Sequence, residues 1–154
     1  DMLSIAYAGK GQHHDVGNKA IHAAPETSSR IISKSVCKDG GKTTFRALVR
    51  IDEKADNCKT TTECAALLLD ENSKTDTIPT IEVENHTASA SHEASVGRLS
   101  EEALFYLQSR GLTEEEARAM IVLGFFSPII KTLPLEYSIE FNKLIEMEME
   151  GSVG

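Results

Sequence analysis

Three cysteines, five histidines and 24 carboxylates are the side chains of this 154-residue chain with ligand or catalytic chemistry. Cys64, inside a β-branched segment, and the adjacent pair His92-Glu93 form the most suggestive set. A thiolate, an imidazole and a carboxylate together make a mixed soft and borderline donor set, suited to iron or zinc rather than calcium or magnesium. Cys64 and His92 are 28 residues apart, so only the fold could join them. Residue types alone also allow a buried strand cysteine beside a surface His-Glu pair.

The other candidates point away from chemistry. Cys37 and Cys58 lie near turn residues, and an odd cysteine count without CxxC spacing argues for free thiols in a reducing compartment. His13 and His14 are neighbours in strand-like sequence, so they face opposite ways and cannot easily serve one site. His22 reads as an inward polar side chain satisfied by the scaffold, and His86 as a loop residue. Gly9-Lys10-Gly11 lacks the remaining glycines and the Lys-Ser/Thr of a phosphate loop. A GxSxG nucleophile elbow is absent, and His92-Glu93 is not extended to HExxH. ATP hydrolysis and the common hydrolase chemistries therefore lose support.

Two kinds of element must position these residues. Up to about residue 96 the chain reads as β-branched segments at Ser29 to Val36, Thr43 to Ile51, Thr60 to Leu69 and Thr77 to Val83, with Asp39-Gly40-Gly41 and Asp70 to Ser73 as turns. The first residues are also strand-like, and the start looks cut. Periodicity leaves sandwich, barrel and stacked solenoid open, because no repeat with a strict register is visible. From Leu99 the pattern turns helical. Ser100 caps one helix that stops at Gly111, and Thr113 with Glu116 forms a capping box that starts a second. Pro128 limits the second helix, Pro134 suits a first helical turn, and Leu135 to Glu150 gives a third. Val96-Gly97 reads as a hinge-like junction between the halves.

Composition restricts the partners. With 40% hydrophobic and 26% charged residues the chain has ordinary globular usage and can bury a core without disulfide staples. A net charge of −8 is a poor footprint for nucleic acid. The longest apolar run, Ile121 to Phe126, falls far short of the roughly 18 residues of a membrane span. From Ser100 onward ten acidic and four basic residues give −6, whereas the β half carries −2. The apolar residues of that acidic tail suit either packing within the fold or a docking surface.

The sequence contains, in order, Gly11-Gln12-His13-His14-Asp15, Thr27 to Lys34, Phe45-Arg46-Ala47-Leu48-Val49, Cys64-Ala65-Ala66-Leu67-Leu68-Leu69, Asp76-Thr77-Ile78-Pro79, His92-Glu93-Ala94-Ser95 and Leu104 to Leu112. Glu114 to Ala117, Met120-Ile121-Val122 and the ending Glu150 to Gly154 continue the pattern. On these motifs the chain resembles the SufB/SufD family of the SUF iron-sulfur cluster assembly system over nearly its whole length. Glu93 together with Cys64 favours the SufB branch, because SufD-like chains have His-Gly at the first position and usually lack the cysteine.

The resemblance implies a mainly β fold with an α-helical tail. Residues 1–97 would be the C-terminal part of a right-handed parallel β-helix, the last third of a longer protein. Residues 98–154 would be a small three-helix domain. It implies a scaffold, not a turnover enzyme, that builds a transient iron-sulfur cluster at a subunit interface. Cys64, His92 and Glu93 would be its cluster ligands or sulfur-handling groups; some members carry a further acidic residue where this chain has Ser91. The implied partners are a SufC-type ABC ATPase, SufD or a second SufB copy, and a sulfur donor system. Leu104, Phe105, Tyr106, Phe125, Phe126 and Ile129 would dock the ATPase. The location would be the cytoplasm, or an organelle stroma in a eukaryote. Rival readings are a SufD-like interaction subunit that binds the ATPase without holding a cluster and a β-solenoid hydrolase acting through carboxylate pairs.

Overall fold

The computed structural model describes residues 1–150. It divides into two compact units, Asp1–Arg98 and the residues from Leu99 onward. The first is built from seven strands: β1 (Met2–Ala8), β2 (His13–His22), β3 (Ser28–Cys37), β4 (Lys42–Ile51), β5 (Lys59–Leu68), β6 (Lys74–Val83) and β7 (Ser89–Arg98). The second holds helices α1 (Glu101–Ser109), α2 (Glu114–Ile130) and α3 (Leu135–Glu150).

The strands coil rather than meander. Odd-numbered strands form one sheet in the order β1-β3-β5-β7, even-numbered strands another in the order β2-β4-β6, and every pairing between them is parallel. This is a solenoid-like β-helix of about three turns. Met2 lies opposite Ile31, Ser28 opposite Lys59 and Lys59 opposite Ser89, so successive coils are offset by 29, 31 and 30 residues. Those small differences in coil length hide the repeat from a search for strict periodicity.

Alternation along each strand builds the core. On β4, Phe45, Ala47, Val49 and Ile51 point inward and are buried, while Arg46 and Arg50 point outward. On β5 the inward residues are Thr60, Thr62, Cys64 and Ala66, and the outward ones are Thr61, Glu63 and Ala65. The corners use the expected turn residues. Asp39 and Gly40 both take positive φ between β3 and β4. The Asp70 carboxylate accepts from the backbone N–H of Asn72 and of Ser73, both at 2.9 Å, between β5 and β6. Outward charges pair between coils: Arg46 with Asp15 at 2.9 Å and Lys42 with Asp76 at 2.6 Å. Being exposed, these pairs set register more than stability.

Two expectations need correction. Val96-Gly97 is no hinge, because both residues lie inside β7, paired with Ala66 and Leu67 of β5. Pro128 does not limit α2, which continues to Ile130. Placed in the final turn, it removes only one hydrogen bond near an end that already lacks partners. The helix starts agree with the sequence. The Ser100 hydroxyl accepts from the Ala103 N–H at 3.2 Å, and Thr113 and Glu116 form a reciprocal capping box.

Candidate metal centre at the last coil

Cys64 stands on the inward face of β5, 6% exposed, where β5 meets β7. In the parallel register Thr62 lies opposite His92 and Cys64 opposite Ala94, so His92 occupies the same inward face one position away. The Cys64 Sγ and His92 Nε2 atoms are 3.8 Å apart, a weak thiol to imidazole contact across two adjacent coils. His92 itself is half-buried. One coil of about 30 residues thus converts a 28-residue separation into a contact.

Glu93 is placed differently. As the neighbour of His92 on one strand it points the other way, in register with Glu63 on the outward face. It opens on a shallow cleft of about 190 Å³ whose walls include Ile32, Lys34, Glu63, Cys64 and Ser95. The structure therefore brings Cys64 and His92 into contact, with Glu93 on the opposite face of β7 from His92, in a cleft that Cys64 also lines. Among the described residues no group of three His, Cys, Asp or Glu side chains is arranged to hold a metal ion.

Electrostatics at the pair favour a protonated thiol. Burial pushes the Cys64 pKa up from about 9 to about 11, because the charged thiolate loses its hydration. Metal would have to displace that proton on binding. The remaining cysteines are structural. The Cys37 thiol, fully buried, donates to the Lys74 carbonyl at 3.2 Å, and burial raises its pKa also. The Cys58 thiol donates to the Ala24 carbonyl at 3.3 Å. His22 is buried and held between the Thr27 hydroxyl at 2.7 Å and the Ser29 hydroxyl at 2.8 Å, as its position suggested. His13 contacts the Thr44 hydroxyl at 3.0 Å and joins no ligand cluster.

The aromatic and aliphatic residues expected to dock an ATPase separate into two groups. Leu104, Phe126 and Ile129 are buried, and Phe126 packs edge-on against Phe141 with ring centres 5.5 Å apart. Half-buried Phe125 stacks beside Phe126 at 5.4 Å. On α2, Val122, Phe126 and Ile129 recur at spacings of four and three and share its buried face. Phe105, 72% exposed, and Tyr106 remain on the surface. Sequence reasoning missed a cleft of about 790 Å³ in the same unit, floored by Leu112, Ala119, Met120 and Leu123 and rimmed by Glu115, Glu116 and Glu146. Its signal was present in the acidic first turn of α2, which places charge beside an apolar stripe.

A family model described as SUF system FeS cluster assembly, SufBD core domain, matches residues 1–125. The chain is 55% identical over 152 residues to the iron-sulfur cluster assembly protein SufB of Bacillus subtilis, covering 99% of this chain and 33% of that protein. It is 56% identical to an iron-sulfur cluster assembly SufBD family protein of Staphylococcus saprophyticus, with the same coverage. The chain belongs to the SufBD family of the SUF iron-sulfur cluster assembly system. It spans about a third of the length of these relatives. Among the described residues no helix is long and apolar enough to cross a membrane.

Proposed function

We propose that this chain is the part of a SUF assembly scaffold where a nascent iron-sulfur cluster, as cargo, is held and then handed on. Cys64 and His92 supply this chain's donors, and a second subunit, SufD or another SufB copy, supplies the rest. The single observation that carries this reading is the contact of 3.8 Å between Cys64 Sγ and His92 Nε2 across adjacent coils. Two donors from one chain hold a cluster incompletely, and mixed nitrogen and sulfur ligation is weaker than four thiolates, which suits transfer. The raised Cys64 pKa keeps that thiol protonated until iron or a sulfur species arrives from the donor system. Glu93 has a separate place in this reading, as an outward carboxylate beside Glu63 at the rim of the same strand pair.

The helical unit is the coupling element. Exposed Phe105 and Tyr106, with the glutamate-rimmed apolar cleft, suit a partner that presents apolar and basic side chains. A SufC-type ABC ATPase in the cytoplasm is the partner this reading names, and nucleotide-dependent contact there would bias the scaffold between two arrangements. ATP hydrolysis would lie in that partner and not in this chain.

The test is anaerobic reconstitution of the complete protein with ferrous iron and sulfide, followed by visible absorption and iron counting. Cys64→Ser should abolish uptake at this place, and His92→Ala should lower it at least several-fold. Normal cluster yield in both variants would overturn the ligand assignment. The placement of Glu93 on the opposite face of β7 from His92 favours one alternative, a SufD-like subunit that binds the ATPase without holding a cluster. That alternative predicts ATPase binding with no iron uptake in the unmodified protein.

A further inference from the structure

One polar side chain next to the cysteine has no partner in the fold. Thr62 faces inward from β5 and is 1% exposed, and its hydroxyl makes no hydrogen bond among the described residues. A buried hydroxyl left unpaired destabilises a protein, and a valine of the same shape would avoid that cost. Its neighbours show where a partner could come from. Opposite Thr62 on β3 stands Ile31, which is apolar, and opposite it on β7 stands His92. One step back on the same face, the polar chain from His22 through the Ser29 hydroxyl ends at Thr60, with Ser29 and Thr60 hydroxyls 2.9 Å apart. One step forward is Cys64.

The unpaired donor therefore lies on the one inward face that carries both members of the cysteine-histidine pair. We infer that Thr62 is a positioning residue for sulfur chemistry at Cys64. Its hydroxyl, which makes no hydrogen bond to Cys64 Sγ in the empty chain, donates one to an inorganic sulfide held beside that cysteine. An O–H donor spreads the charge on a sulfur that no longer carries a proton, and hydrogen bonds to sulfur tune how firmly iron is held. This inference rests on the reading of Cys64 as a ligand.

The experiment compares Thr62→Val, which keeps shape and loses the hydroxyl, with Thr62→Ser, which keeps the hydroxyl, in the complete protein. Each is reconstituted anaerobically with ferrous iron and sulfide. Loss of the cluster to a ferrous chelator and the visible absorption bands are recorded, together with the melting temperature of the metal-free forms. The expected result is a metal-free Thr62→Val that melts at or above the unmodified protein, yet loses its cluster at least five-fold faster with shifted bands, while Thr62→Ser stays close to the unmodified protein. A Thr62→Val with unchanged chelator kinetics and spectrum would overturn the inference. So would a Thr62→Val that melts lower than both other forms, since its hydroxyl would then be paired inside the empty fold, for example with a water. Equal cluster content in the unmodified protein and in Cys64→Ser would instead remove the ligand reading itself, and the role of Thr62 with it.

Discussion

Inward positions on the earlier coils and on the last coil share parity and register but differ in exposure. Ile31, Val49 and Ile51 are fully buried, whereas Ile81 and Val83 on β6 are roughly two-fifths exposed and Val96 on β7 is 59% exposed. Val49 and Ile81 are even register partners. In a solenoid each coil's inner face is covered by the coils stacked on it, so burial belongs to the stack and not to the residue. The candidate site straddles this boundary. Cys64 is one coil in and nearly covered; His92 is on the last coil and half-buried. The pair therefore combines a sheltered sulfur with a half-buried histidine.

The largest expected effect sharpens that contrast. Phe45→Ala in the stacked core should cost about 3–5 kcal/mol, while Ile81→Ala on the last coil should cost about 1 kcal/mol or less in urea denaturation. Equal losses would mean that the last coil is as well covered as the others. Glycines give a second version of the same comparison. A Cβ at Gly41 would lie 2.1 Å from the Ala8 carbonyl oxygen, whereas one at Gly97 would meet nothing closer than 4.0 Å. Gly41→Ala should cost about 1–3 kcal/mol or more. Gly97→Ala should stay within about 0.5 kcal/mol of the parent.

Thiol chemistry gives the third check. Alkylation of Cys64 in the metal-free protein should rise with an inflection near pH 11 instead of near 9, while fully buried Cys37 and Cys58 stay unreactive until the protein unfolds. The sign for stability follows from the raised folded-state pKa. Cys64 costs nothing below about pH 9, and stability falls as pH rises from there through about 11, because the unfolded chain releases the proton first. An inflection near 9 would place the sulfur in water. The smallest effect is a control away from the coils: Thr113→Ala should cost about 1 kcal/mol by loss of the cap of α2. It should leave Cys64 alkylation unchanged.

Local signals in the sequence were read well where one segment decides its own state. Ser100 and the Thr113-Glu116 box start helices where expected, and the segment from Thr43 to Ile51 lies in a strand as expected. β7 was missed. Ser89 to Arg98 is Ser-Ala-Ser-His-Glu-Ala-Ser-Val-Gly-Arg, a run with one β-branched residue, and pairing with β5 makes it a strand in spite of its weak propensity. As neighbours on that strand His92 and Glu93 point to opposite faces, which their adjacency in sequence does not reveal until the strand is recognised.

The sequence by itself determined the helix starts, the alternation of β3 to β5, the structural character of Cys37 and Cys58, and, through its ordered motifs, the family. Only the tertiary structure decided that Cys64 meets His92, that Glu93 faces away from His92, and that the Thr62 hydroxyl has no partner among the described residues. The reason is physical: these relations depend on which residues stack one coil apart, and a coil length that varies from 29 to 32 residues is set by corners and register, not by any signal local to the residues themselves.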